Sequence, residues 1–391
     1  MMQALLSNIK DKDVLPVKVT FPLSDYKEVY AKLEAIGIGN AMERDCYVNE
    51  ICKGYQSLKL LEMISVNVDE LDYLIKRLES FDKRELAKFQ GIVFGRGYFD
   101  MTDLINLTFC CQEATVVRDF TDLNAIGREH YMDLHGGIAK EDLKTIDFRD
   151  IARALLSRDS GKITPYGVIY ENDMCMKQLY NGQHLLDYQY NCDAIMTIAI
   201  TDRHKPEESA SATYLDLPME DCQIERTMMR SGIGTFDDMR MRYHYNELSI
   251  ELTDLLSEGE NLHDLNCLCT GFQILDDDDR QKLEAVIEMA RPTTVKEAAN
   301  LIAQLDLFDF TPDVRTLEDY GRYMIADSGH YEYDSELDRY YDFKKYGEER
   351  SSQEYGMFVP AGYVSYHGFV SIEEVMAGSE TERIDMKMGG M

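Results

Sequence analysis

Apolar and polar positions along the chain first alternate and then shift to helical spacing, and this succession occurs twice. Val17, Val19 and Phe21 alternate with Lys18 and Thr20, the period of a half-buried strand, and Pro22 ends the run. Leu215 and Leu217 flank Asp216 in the same way before Pro218. Leu23, Tyr26, Val29, Tyr30 and Leu33 then fall on one helical face, which predicts a helix over 24–36 with Gly37 as its C-cap. Residues 46–51 and 243–248 read as second strands. Four amphipathic stretches, 69–80, 82–93, 101–109 and 121–132, are separated by short breaks and predict a small helical bundle; a second series runs from 261 to 325. Residues 356–366 are β-prone and turn-rich. The run 194–200 reads as a buried strand, residues 202–211 as a polar linker, and the tail beyond about 372 as frayed.

The recurrence extends to individual residues. Pro22 and Pro218 lie 196 positions apart, and Gly37 and Gly232 lie 195 apart. Lys88-Phe89 answers Lys282-Leu283, Asn106-Leu107 answers Asn300-Leu301, and Gly127-Arg128 answers Gly321-Arg322, all at 194. Asp147-Phe148 answers Asp342-Phe343 at 195, and Gly161 to Gly167 answers Gly356 to Gly362. A register this steady identifies an internal repeat. The expected organisation is α+β, with a first copy over 14–173, a connector with short strands over 174–208, a second copy over 209–370 and a tail over 371–391. In each copy, small α/β subdomains flank the helical bundle.

Composition restricts the function. The 391 residues hold 72 Asp and Glu against 41 Lys and Arg, a net charge of −31, with 45% hydrophobic residues. That hydrophobic fraction is enough for folded cores, while the charge opposes a phosphate backbone and argues against direct nucleic-acid binding. The apolar Ala4, Leu5 and Leu6 are broken off by Lys10, Asp11, Lys12 and Asp13, unlike a signal peptide, and no apolar run reaches the length of a membrane span. Nine cysteines, an odd number without framework spacing, fit reduced thiols in a cytoplasm.

Catalytic chemistry leaves little trace. Gly37-Ile-Gly39, Gly95-Arg-Gly97 and Gly232-Ile-Gly234 lack the third glycine of a dinucleotide loop. Cys110-Cys111 and Cys267-Leu-Cys269 are not metal spacings and lie in apolar helical runs. His135, before two glycines, reads as a turn residue in a loop. An EF-hand loop starting at Asp276 would need Gly and Glu where Gln281 and Ile287 stand. No metal, cofactor or enzyme activity is expected.

The acids are unevenly shared. Residues 1–210 hold 34 acids and 25 bases, a net of −9, and residues 211–391 hold 38 and 16, a net of −22. The second copy carries Asp254, Glu258, Glu260, Asp264, Asp276, Asp277, Asp278, Asp279, Glu284, Glu288, Asp306, Asp309, Asp313, Glu318, Asp319, Asp327, Glu332, Asp334, Glu336 and Asp338. Acids preceding a helix stabilise its positive end, which explains one or two of the Asp276–Asp279 run. A solvated, solubilising face is the bland reading of the remainder. Its competitor starts from a cost: like charges this dense repel and destabilise a compact state. A folded scaffold of carboxylates can approximate DNA, which offers one charge per about 1.7 Å of axis.

The second copy resembles the ArdA antirestriction proteins carried by conjugative elements of Gram-positive bacteria. The resemblance rests on the strand ending in Leu217-Pro218, on Asn246-Glu247-Leu248, on the stretches 260–266 and 316–322, and above all on Tyr340-Tyr-Asp-Phe-Lys-Lys-Tyr-Gly347. In that last stretch Tyr340, Tyr341, Asp342, Phe343, Tyr346 and Gly347 look like the family's antirestriction motif. The first copy has Ile146-Asp-Phe-Arg-Asp-Ile-Ala152 there, without the paired tyrosines or the glycine. The resemblance implies elongated modules of three small subdomains that imitate bent double-stranded DNA and occupy the DNA-binding groove of Type I restriction-modification enzymes. It implies action in a bacterial host's cytoplasm, no catalysis and no cofactor. It also implies a dimer contact near the motif, which a tandem chain replaces internally as a pseudo-dimer or retains as a homodimer. An inhibitor of another nucleic-acid-binding defence nuclease and an acidic interaction adaptor are the competing readings.

Overall fold

A computed structural model describes residues 1–11, 13–139, 142–186, 194–206, 211–257 and 259–378. The architecture is α+β, with helices between small antiparallel sheets. The chain divides into two compact units. The first comprises Met1–Cys192, Ile200–Leu215 and Glu220–Met239; the second comprises Asp193–Ala199, Asp216–Met219 and Arg240–Met391.

In the first unit, β1 (Met2–Ser7) pairs with β2 (Val17–Phe21) and with β3 (Cys46–Lys53), and β4 (Ser65–Val66) completes a sheet of order β2-β1-β3-β4. The N-terminal residues that read only as a short apolar stretch are thus an inner strand, burying Met2, Ala4 and Leu6 on alternate positions. Between β2 and β3, α1 (Tyr26–Glu34) starts at Asp25, whose carboxylate accepts from Glu28 N. Helices α2 (Val68–Ser80), α3 (Lys83–Arg96) and α4 (Met101–Leu107) follow, with Asn67, Asp82 and Asp100 as side-chain N-caps. Their apolar faces share one core with the sheet.

The fourth predicted bundle helix, α5 (Leu123–His135), belongs elsewhere. After α6 (Asp142–Thr145) comes α7 (Phe148–Leu156), and α5 and α7 pack beside the sheet β5-β7-β6, made of β5 (Thr115–Val117), β6 (Lys162–Thr164) and β7 (Gly167–Tyr170). Val117, Ile126, Ala152, Leu155 and Tyr170 form a separate core there. The helices can approach because residue 127 is glycine: a Cβ would stand 1.7 Å from the Phe148 carbonyl oxygen. His135 is the last residue of α5 rather than a loop residue, and Gly136, at φ 70°, is its left-handed C-cap.

A third sheet has the order β10-β8-β9, from β8 (Met196–Asp202), β9 (Thr213–Leu217) and β10 (Met239–Asn246). Helix α8 (Asp221–Ser231) falls in the first unit, so the compact units do not part near residue 209. Two arginines of α8 explain why. Arg226 makes an ion pair with Asp69 at 2.9 Å and lies 4.0 Å above the Tyr30 ring. Arg230 donates to the Ala41 carbonyl, to Asn67 Oδ1 and to the Tyr180 hydroxyl, which itself donates to Glu70.

The second unit contains α9 (Ile250–Thr253), α10 (Leu262–Gln273), α11 (Asp277–Ala290) and α12 (Val295–Ala303), the last three capped by Asn261, Asp276 and Thr294. Then come β11 (Phe308–Pro312), α13 (Leu317–Arg322), α14 (Phe343–Ser351), β12 (Tyr355–Val359) and β13 (Gly362–Tyr366), with sheet order β11-β13-β12. The three helices, the sheet whose last strand is central, and the helix pair follow the same order in both units. Helix α15 (Ile372–Met376) occupies residues expected to fray: Asn300 Nδ2 donates to the Met376 carbonyl at 2.8 Å, and Ile372 and Val375 are buried. The remainder of the predicted tail, from 379, lies outside the described residues, as does Glu258.

Candidate acidic interface

The carboxylates of the second unit serve three different purposes. Some finish helices: Asp276 accepts from Asp279 N at 2.9 Å, Asp334 accepts from Glu336 N at 2.9 Å, and Asp319 closes a capping box with Thr316. Others pair with bases: Asp313 with Arg315 at 3.4 Å, Asp338 with Arg322 at 2.8 Å, and Asp309 with His367 at 3.8 Å. Glu260 accepts from the Ser257 hydroxyl at 2.6 Å, and Asp264 sits half-buried in the first turn of α10. The third group is exposed and, among the described residues, in no ion pair: Asp254, Asp277, Asp278, Glu284, Glu288, Asp306, Glu318 and Glu336.

Helix α11 shows how such a face arises. Leu283, Val286 and Ile287 are buried, while Asp277, Gln281, Glu284 and Glu288 recur every three or four residues on the exposed side. Glu284 and Glu288 are one turn apart, about 6 Å of rise. The Arg280 guanidinium at the start of this segment lies 4.7 Å above the Phe272 ring.

The antirestriction-type motif divides into a scaffold and a surface. Asp342 is the N-cap of α14, accepting from Lys345 N at 3.0 Å. Phe343 is buried between Tyr341, stacked at 5.8 Å, Tyr333, edge-on at 6.2 Å, and the Arg322 guanidinium at 4.3 Å. Arg322 also grips Asp338, and that hydrogen bond holds its pKa above the ordinary range. Gly347 meets α13 backbone to backbone, since a Cβ would stand 1.9 Å from the Leu317 carbonyl oxygen. Tyr340 and Tyr341 are exposed, and the Tyr346 hydroxyl lies 3.1 Å from that of Tyr331, a contact that raises the Tyr346 pKa.

Arg322, Tyr331 and Tyr333 were not singled out from sequence as site residues. A weak signal existed, since Tyr331 and Tyr333 precede the motif in an aromatic-acidic alternation. The matching place in the first unit retains the scaffold alone: Asp147 caps α7, and Phe148 packs under Arg128 at 5.7 Å.

Cys110, Cys111 and Cys269 are buried free thiols whose pKa burial raises, and among the described residues no cluster of three metal-ligating side chains occurs. Nor is any described helix long and apolar enough to cross a membrane. Residues 210–365 match the model of a family described as "Antirestriction protein (ArdA)". The proteins of that family are non-catalytic antirestriction proteins directed at restriction enzymes. No curated protein matches the chain.

Proposed function

We propose that this protein is an antirestriction protein whose second unit imitates double-stranded DNA and fills the DNA-binding groove of a Type I restriction-modification enzyme. The carrying observation is the set of carboxylates that stand exposed and, among the described residues, outside any ion pair on a folded scaffold, with Glu284 and Glu288 one turn apart on α11. A face arranged in this way presents uncompensated negative charge at fixed spacing, and a groove built to collect phosphates would attract it. The family match over 210–365 supports this reading.

The chain is further read as two tandem modules of this kind, 14–173 and 209–370. The shared order of helices and sheets supports it. The first module, with less charge and no paired tyrosines, contributes scaffold and not the acidic face. The protein acts without catalysis or cofactor, in the cytoplasm of a bacterial host, as an internal pseudo-dimer or as a homodimer.

The test is inhibition of a Type I enzyme with DNA as competitor. Inhibition should fall as DNA or salt rises, because both compete with screened charge. Inhibition indifferent to DNA concentration would sink the mimicry. A pulldown from DNase-treated host lysate separates the alternatives: a restriction complex supports the proposal, another defence nuclease redirects it, and partners without a nucleic-acid groove leave an acidic adaptor.

A further inference from the structure

Four residues of the second unit close a ring of contacts beside the exposed tyrosines. The Arg322 guanidinium lies 4.3 Å above the Phe343 ring and donates to Asp338 Oδ2 at 2.8 Å. The Asp338 carbonyl accepts from Tyr341 N at 3.3 Å, and the Tyr341 ring stacks on Phe343 at 5.8 Å. Tyr333 meets both rings edge-on, Tyr341 at 5.8 Å and Phe343 at 6.2 Å. Tyr340 ends the 3₁₀ turn Ser335–Tyr340, which Asp334 caps and Asp338 ties to Arg322. A guanidinium suits this place, because it can lie on a ring and bond a carboxylate at the same time.

The first unit shows what the ion pair adds. Arg128 lies over Phe148 at 5.7 Å, so the cation over the ring comes with the helix pair. At the places of Asp338 and Tyr341, 195 positions earlier, stand Leu143 and Ile146, and neither can close the ring. The carboxylate link and the tyrosines are thus present together in the acidic unit and absent together from the other. Exposed rings on a free segment would lose their freedom on binding, a loss of affinity that a segment already fixed avoids.

We propose that Arg322 is a positioning residue of the acidic unit, acting through Asp338 and Phe343 to hold Tyr340 and Tyr341 in the arrangement that the target meets. The proposal rests on the reading of this unit as an inhibitor that docks on a restriction enzyme. It also opposes a pure sum of charges, since it makes a positive residue strengthen binding to a site built for phosphates.

The experiment compares the full chain with its variants for inhibition of a Type I enzyme and for the rate of dissociation from it. Arg322→Gln and Arg315→Gln each take the net charge from −31 to −32, and Arg315 pairs with Asp313 outside the ring of contacts. If charge alone set affinity, both would bind as well as the parent or better. Positioning makes Arg322→Gln bind about three- to tenfold more weakly, through faster dissociation, and leaves Arg315→Gln unweakened. Arg322→Lys keeps the charge and a bond to Asp338 and should recover part of the loss. A second readout needs no target: in tyrosine-labelled free protein, the ring-proton shifts that Phe343 imposes on Tyr341 should move towards those of an unstacked tyrosine in Arg322→Gln. Asp338→Asn, at the partly exposed end of the link, should move them the same way and carries this readout should Arg322→Gln not fold. Arg322→Gln binding at parent strength or tighter overturns the proposal, as does equal weakening by Arg315→Gln or an unmoved Tyr341 signal. A parent chain that inhibits no restriction enzyme fails the functional reading instead, and the Tyr341 signal still decides whether Arg322 orders the tyrosines.

Discussion

Replacing Gly347 with alanine tests whether the motif glycine serves packing rather than contact with a target. Helices α13 and α14 cross at two glycines. A Cβ on Gly347 would stand 1.9 Å from the Leu317 oxygen and 3.0 Å from Gly321 N, and a Cβ on Gly321 would stand 1.9 Å from the Phe343 oxygen. The obstacle is backbone, which cannot rotate aside, so the helices must part by about 1 Å or more to restore ordinary contact. Such overpacking costs about 1–3 kcal/mol, while the helix gains about 1 kcal/mol when glycine becomes alanine. The first unit limits the cost: its corresponding pair is Gly127 and Ala152, so a glycine–alanine crossing is an accessible geometry. Gly347→Ala should therefore lose about 2 kcal/mol net at most. Gly321→Ala should lose more, because both units place glycine there. Urea unfolding followed by circular dichroism measures both, with the exposed Glu348→Ala as control. A Gly347→Ala variant as stable as the parent yet inactive would refute the packing role and make the glycine a contact residue.

Neutralising Asp276, Asp277, Asp278 and Asp279 to Asn should weaken target binding about tenfold or more if the field is a sum of such charges; circular dichroism should be unchanged, since asparagine caps a helix as well as aspartate. A comparable change around Asp82 should matter less, and equal losses from both would show that the charge asymmetry carries no functional information. Arg230→Met removes a buried cation from the Asn67–Tyr180–Glu70 network and should cost about 3 kcal/mol, at the low end for a broken buried ionic network because Arg44 still neutralises Glu70; an unfolding curve unchanged from the parent would dismiss that network. His130, 2% exposed, has its pKa pushed down to about 4 by burial, with Arg158 and His135 adding to the shift. Unfolded His130 binds a proton below about pH 6.5 that the folded site refuses, so stability falls as pH drops from 6.5 towards 4. Between pH 7.5 and 5 the parent should lose about 2 kcal/mol more than His130→Gln, and parallel losses would show that this histidine is not the titrating group.

Periodicity sufficed for elements whose pattern is local. The strand at Val17–Phe21, the helices following Asn67, Asp82 and Asp100, and the buried run at 194–200 all emerged near their predicted limits. What periodicity could not supply was the choice of neighbour. The α5 segment is amphipathic like the bundle helices, and the close approach of Gly127 to Phe148, the core shared by Ile126 with Val117 and Leu155, and the contact of His130 with Thr115 hold it at the terminal sheet. The N-terminal strand is too short to announce itself until β2 and β3 flank it. In the acidic face, sequence supplied the carboxylates but not their division. Asp276, Asp319 and Asp334 look like any other acid in the list, yet their carboxylates are engaged by backbone N–H groups, that of Asp319 by Thr316 N. Nor does the sequence show that the Arg280 and Arg322 guanidinium groups lie over the rings of Phe272 and Phe343.

The stretch 340–347 mixes two kinds of residue. Asp342, Phe343 and Gly347 form an N-cap, a ring under a guanidinium, and a helix crossing, and each of these needs only the rest of the unit. Asp147, Phe148 and Ala152 stand in the corresponding places of the first unit, beneath Arg128 and against Gly127, and there Tyr131 of α5, not a tyrosine preceding α7, packs edge-on against the phenylalanine at 6.1 Å. Tyr341 stacks on Phe343 and Tyr346 packs against the cluster of Val314, Tyr320 and Tyr363, whereas Tyr340 is the most exposed of the three. Exposing Tyr340 and Tyr341 to water beside Asp338 and Asp342 gives the fold little, because exposed rings contribute little burial. Their presence in the acidic unit and absence from the other follows the charge rather than the fold. Aromatic rings are favoured in the fully desolvated core of protein interfaces. We therefore propose that the exposed tyrosines and carboxylates form one recognition surface, held in place by the scaffold residues.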